Sequence, residues 1–200
     1  MLKMHKKTAV ESKRMICSSG FTAIELLVTI AVLGILLALA IPSFVEFAQA
    51  SRGSTVSSQF VAGMARARSE AISQNACVKI CQSANAANGK TATCAGSGDD
   101  WQRGWILFRV PSCNSAVDNP VDTDILAVNV GSQTDFELFT PGGAVRHFMF
   151  DPRGILVAGG LANMTLSHLP DGTSNKHART ICVSIAGRVT VREWGLGCTS

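Results

Sequence analysis

Glu25 is a carboxylate at the edge of an otherwise apolar stretch. The segment Phe21 to Ile41 is continuously apolar from Leu26 onward apart from Thr29 and Gly34. A charge in such a place is costly unless a cation meets it, so it marks a functional residue by default. Local helix chemistry offers another use, because Thr22-x-x-Glu25 has the spacing of a capping box. Six cysteines follow, Cys77, Cys81, Cys94, Cys113, Cys182 and Cys198, an even number suited to disulfides in an oxidising compartment. A structural metal competes weakly, since neither a Cys-x-x-Cys pair nor a histidine at ligand spacing is present. Asp118, Asp122 and Asp124 crowd one loop and would suit calcium, but the loop lacks the glycine and the matching glutamate, so a solvated polar loop is expected. If Arg188 to Arg192 is extended, Arg188, Thr190 and Arg192 share one face, the arginines ~13 Å apart, a spacing open to two phosphate contacts. No Gly-x-Ser-x-Gly elbow, His-Glu-x-x-His pair or phosphate loop occurs, which leaves an enzyme the least supported class.

The elements that carry these residues can be read from patterning. Phe21 to Ile41, at ~1.5 Å per residue, is long enough to cross a bilayer core. Ahead of it, Lys3, Lys6, Lys7, Lys13 and Arg14 face a single acid, Glu11, giving that leader a charge of +4. The positive-inside rule keeps such a leader cytoplasmic and sends the C-terminal part across. The 13 basic and 13 acidic side chains that follow sum to zero, which argues against a chain that is basic throughout and binds nucleic acid. Within that balance Pro42 to Phe139 carries −2 and Thr140 to Ser200 +3, with His147, His168 and His177 in the latter. A plain secretory signal ending in Ala38-Leu39-Ala40 is the alternative, releasing a soluble exported β-rich protein.

Beyond Pro42, the residues Phe44, Phe47, Val56, Phe60, Met64, Ala67, Ala71 and Ile72 recur mostly every three or four positions. They predict an amphipathic helix to about Gln74 with these side chains in the core, loosened but not ended at Pro42 and Gly53. Short β-rich runs then alternate with turn signals. Strands are expected at Cys77–Cys81, Trp105–Val110, Ile125–Val130, Phe136–Phe139, Arg146–Phe150, Met164–His168, Thr180–Ile185 and Val189–Trp194. The turns fall at Asn88-Gly89, Pro141-Gly142-Gly143, Asp151-Pro152-Arg153-Gly154, Asp171-Gly172 and Gly187. The fold class is α+β, with the second half of the helix packed on a mainly antiparallel sheet. Cys77 and Cys81, ~13 Å apart along one strand, cannot bond each other. Spacing favours Cys81 with Cys94 around Asn88-Gly89 and Cys182 with Cys198 at the terminal hairpin, leaving Cys77 with Cys113.

Gly20-Phe21-Thr22-Ala23-Ile24-Glu25-Leu26-Leu27-Val28-Thr29-Ile30, behind a basic leader and ahead of an apolar helix, resembles the class 3 signal of type IV prepilins. The resemblance implies cleavage after Gly20 by a prepilin peptidase, N-methylation of Phe21, and pairing of the new α-amino cation with Glu25 of a neighbouring subunit. Arg66-Ala67-Arg68-Ser69-Glu70-Ala71, Trp101 to Phe108 and Gly187-Arg188-Val189 extend it to the FimT/GspH family of minor pilins and pseudopilins. It implies a pilin-like chain without cofactor: a leader at 1–20, a membrane-spanning and filament-core half-helix at 21–42, an amphipathic half at 43–75 and a β-rich head at 76–200. Such a subunit is held in the bacterial inner membrane by one span, head periplasmic, and then joins other pilins in a filament or its tip. A minor type IV pilin is the first reading, and a minor pseudopilin of type II secretion the alternative. Some FimT-like members capture DNA through Gly-Arg-x-Arg. Here that stretch is Gly187-Arg188-Val189-Thr190, with Arg192 a displaced substitute for the second arginine, and surface ion pairs with Glu193 or Asp171 are the competing use.

Overall fold

In the computed structural model, residues 20–98, 100–131, 136–140, 145–159, 162–168 and 177–198 are described. The basic leader and the turns at Pro141-Gly142-Gly143 and Asp171-Gly172 lie outside them. Contacts divide the chain into Met1–Phe44 and Val45–Ser200.

Thr22 starts the one long helix, α1, Ala23–Gln74. Its hydroxyl accepts the Glu25 backbone N–H at 3.3 Å and its carbonyl accepts Leu26 N–H at 3.2 Å, which satisfies donors that a helix start leaves open. The helix continues through Pro42 and Gly53. In the first unit its apolar side chains, among them Ile24, Leu27, Ile30 and Leu39, are exposed, and α1 is long and apolar enough to cross a membrane.

In the second unit α1 lies on two antiparallel sheets where one was expected. The strands are β1 Cys77–Gln82, β2 Gly104–Val110, β3 Ile125–Val130, β4 Phe136–Phe139, β5 His147–Phe150, β6 Leu156–Ala158, β7 Ala162–His168, β8 Arg179–Val183 and β9 Val189–Glu193. Five form one sheet in the order β3-β2-β1-β5-β6, and four form the other in the order β4-β7-β8-β9. β6 has too few residues to show a period, which is why it has no signature in the sequence. A hydrogen bond from Leu156 N to Ile185 O, 3.0 Å, bridges the sheets.

Val56, Phe60, Met64, Ala67 and Ala71 of α1 share one core with Val78, Ile80, Leu107, Phe148 and Phe150 of the first sheet and Phe136, Leu138, Met164, Leu166, Ile181 and Val183 of the second. The expected stripe is wrong at its ends: Phe44, Phe47 and Ile72 are 71%, 70% and 51% exposed. Periodicity reports that a helix has an apolar face, not how far its partner surface reaches. Two glycines let the sheets come close. A Cβ at Gly63 would stand 2.6 Å from the Trp105 ring and one at Gly53 2.9 Å from Phe136, so each glycine admits an aromatic ring against the helix.

The far face of the five-stranded sheet is covered too. Cys77, Cys81, Ile106, Phe108, Val110 and Met149 form a second cluster with Ala92, so all six residues of β1 are buried.

Candidate functional site

At the helix start, Phe21 is exposed and Glu25 stands in the first turn. Thr22 caps the helix from its own side chain, and no ion pair of the Glu25 carboxylate occurs among the described residues. A first-turn carboxylate interacts favourably with the helix dipole whatever its partners.

The head is braced where β1 carries Cys77, Lys79 and Cys81 on one face. Cys77 is bonded to Cys113, Cys81 to Cys94, and, at the other end of the head, Cys182 to Cys198. Between the first two bridges Lys79 is 0% exposed. Its ammonium donates to Ser115 O at 2.7 Å, Val117 O at 2.8 Å and Asp118 Oδ1 at 2.7 Å, using all three of its hydrogens. The Phe108 ring lies 6.0 Å away, and Cys94 N donates to Asp118 O at 2.9 Å. One cation and two disulfides thus hold the covering segments onto the sheet. His147, opposite Cys81 in β5, has its pKa lowered from 6.5 by burial first and then by the charge of Lys79, against the pull of Asp118.

The Asp-Pro-Arg-Gly turn is more than a reversal. Asp151 Oδ1 accepts the backbone N–H of Arg153 and of Ile155, both at 2.9 Å, while the Arg153 guanidinium meets Oδ2 at 2.9 Å. Burial alone would raise the Asp151 pKa, but these donors outweigh it and hold the carboxyl below its ordinary value.

The Trp101–Phe108 stretch joins the layers. The Trp101 ring stands edge-on to Phe60 at 5.1 Å, and Gln102 Oε1 accepts Leu138 N–H of the other sheet at 2.9 Å. Arg66 reaches Leu126 O at 3.0 Å and pairs with Glu70. Asp118, Asp122 and Asp124 do not converge, since each meets a different cation: Lys79, Lys90 at 3.7 Å and Arg109 at 2.7 Å.

The two C-terminal arginines have different settings. Arg192 lies within β9 and donates to Gly197 O at 3.3 Å. Arg188 lies before the strand, in a turn closed by Ser184 N to Arg188 O, 2.9 Å. The extended run expected from 188 to 192 therefore starts one residue later.

The family model described as type II transport protein GspH matches residues 57–187, from the buried half of α1 to the Gly187 turn. The chain belongs to the GspH family. As a member of this family of minor pilins and pseudopilins it is a structural subunit and not an enzyme. Two crystal forms of the type IV minor pilin FimU of Pseudomonas aeruginosa resemble the GspH-family chain at 20% identity. One covers 71% of this chain and 89% of its own with a TM-score of 0.50, the other 70% and 91% with 0.49. At that identity the first of these speaks for the pilin-like fold alone. No curated protein sequence matches significantly.

Of the residues that matter in this head, Lys79, Gln102 and Asp151 were not anticipated. Lys79 had a signal, a lysine between two half-cystines on the same face of a buried strand. Gln102 acts on the backbone of a strand remote in sequence, which no local pattern betrays, whereas Asp151 had a signal in the Asp-Pro-Arg-Gly turn, where an Asp side chain bonds its own backbone two residues on.

Proposed function

We propose that this chain is a minor type IV pilin, stored in the inner membrane through residues 21–42 and assembled with other pilins through the same helix. Residues 1–20 are the leader that prepilin peptidase removes after Gly20, Phe21 is then N-methylated, and residues 43–75 with the head from 76 onward face the periplasm. The observation that carries the reading is a single helix, Ala23–Gln74, with apolar side chains exposed along its first part and Glu25 in its first turn. An apolar helix passes between bilayer and filament core without a large change of environment. The Glu25 charge is the exception, and a neighbour's terminal ammonium would neutralise it in that apolar setting.

Mass spectrometry of the mature N-terminus tests this. A chain starting at methylated Phe21 supports the reading, and a chain starting at Ile41 refutes it in favour of an exported soluble protein. The type II secretion branch is the second reading, favoured by the description of the matching family model. Deleting the gene separates the branches, since a pilin loss removes pili and a pseudopilin loss stops protein secretion. A place at the filament tip or in DNA uptake is a narrower form of the first reading. It requires salt-dependent retention of oligonucleotide that falls on Arg188→Ala and on Arg192→Ala.

A further inference from the structure

Beside the buried stripe of α1 lies an open groove of about 420 Å³ between the helix and the turn into β9. Val61, Ile72 and Val189 supply apolar walls, and Arg68 and Arg188 supply charge. Elsewhere in the second unit Arg146 and Arg179 donate to the carbonyls of Gly96 and Ala178, and Arg66, Arg103, Arg109 and Arg153 each have a carboxylate partner. Arg68 and Arg188 have none among the described residues, and Arg68 Nε is buried without any hydrogen-bond partner. A buried donor left unmade is costly, so this one is an incentive for a ligand oxygen.

Both arginines sit on ordered backbone. Arg68 runs under Gly154, where a Cβ would come within 3.1 Å of its Cγ, and Gly154 belongs to the turn that Asp151 knots. Arg188 N donates to Ser184 Oγ at 3.2 Å. Holding the Arg68 stem and the Arg188 backbone in advance lowers the entropy cost of binding.

We propose that this groove docks a segment of a neighbouring filament subunit in which one Asp or Glu is flanked by aliphatic residues. The carboxylate meets Arg68 and Arg188, as guanidinium forks favour, and the aliphatic flanks cover Ile72, Val61 and Val189. A sugar-phosphate strand fits less well: it needs a row of cations instead of apolar walls, and Arg192, the other C-terminal arginine, is bonded to Gly197 O. The proposal rests on the filament reading for its partner.

The test uses the full chain purified in detergent micelles and a fluorescein-labelled Val-Leu-Glu-Ile-Val peptide, blocked at both ends, read by anisotropy. Saturable binding is expected, weakened about tenfold or more when Gln replaces Glu in the peptide, and by a similar factor in Arg68→Gln and in Arg188→Gln. A short oligothymidylate should not displace the peptide. Arg188 is exposed on a turn, so its variant reports on docking even if Arg68→Gln unfolds the head, which a melting curve shows. Absence of saturable binding, equal binding of the Gln peptide, indifference to Arg188→Gln, or displacement by oligothymidylate each overturns the proposal, the last assigning the groove to nucleic acid. A mature terminus at Ile41 with peptide binding intact would defeat the filament reading and leave the groove standing. The opposite pattern would defeat the groove alone.

Discussion

Replacing Lys79 by methionine removes the ammonium at the centre of the head brace while keeping most of the stem's volume, so little cavity cost is added. Ser115 O and Val117 O then lose a charged donor. Both residues are half-buried, so water reaches their carbonyls only if the segment loosens, and each loss falls toward the lower part of the range for an unmade buried bond, about 1–2 kcal/mol. Asp118, whose side chain is 56% exposed, returns to water at little cost. The expected loss is about 2–4 kcal/mol, or roughly 4–16 °C in Tm for a chain of this size. Thermal melting of the oxidised full chain in micelles measures it. Hydrogen exchange at the Cys94 amide, which donates to Asp118 O, locates it. The two disulfides keep the covering segments tethered, so that amide should lose protection while the α1 stripe keeps its own. Asp118→Asn retains both carbonyl contacts and should cost less than about 1 kcal/mol. If Lys79→Met melts at or above the parent temperature, the buried ammonium is only tolerated and the brace argument fails, an outcome known for buried ion pairs replaced by apolar groups.

Gly63→Ala places a Cβ 2.6 Å from the Trp105 ring. It should destabilise the head by about 1–3 kcal/mol despite the better helix propensity of alanine, and a raised Tm would show that Trp105 moves aside freely. His147 has a lowered pKa, so its contribution to stability is complete above 6.5 and is lost as pH falls from there toward the folded value, because the unfolded chain takes up the proton first. Melting curves across that window should slope for the parent and flatten for His147→Asn; parallel curves would remove His147 from the account. Glu25→Ala should leave processing at Gly20 intact while lowering filament incorporation about tenfold or more, equivalent to about 1.4 kcal/mol. Incorporation at the parent level, judged by immunoblot of sheared filaments, would reduce Glu25 to a helix-terminus charge.

Much of this protein is legible one residue at a time. A 3.6-residue period needs only the local chain, so the buried set Val56, Phe60, Met64, Ala67 and Ala71 stands out, as does the change to strand periods after Asn75. Alternation likewise puts Cys77 and Cys81 on one face of β1. Phe44, Phe47 and Ile72 obey the same period and are exposed, because burial requires a second surface that a local pattern does not contain. The division into two sheets was equally hidden. Strand pairing is made by backbone groups alike in every residue, and the three-residue β6 leaves no alternation to read.

The candidate sites divide in the same way. By itself the sequence determined the apolar helix with its misplaced carboxylate, the α+β class and the cysteine inventory, since each follows from side-chain type and spacing along the chain. Tertiary structure alone decided that Lys79 would be buried against carbonyls from Ser115 and Val117, that Asp118, Asp122 and Asp124 would take separate cations, and that Arg68 would share a groove with Arg188. Those outcomes depend on which backbone and side-chain groups are brought within about 3 Å, where a hydrogen bond or ion pair becomes strong enough to matter, and that closeness is created only when the helix and the two sheets pack.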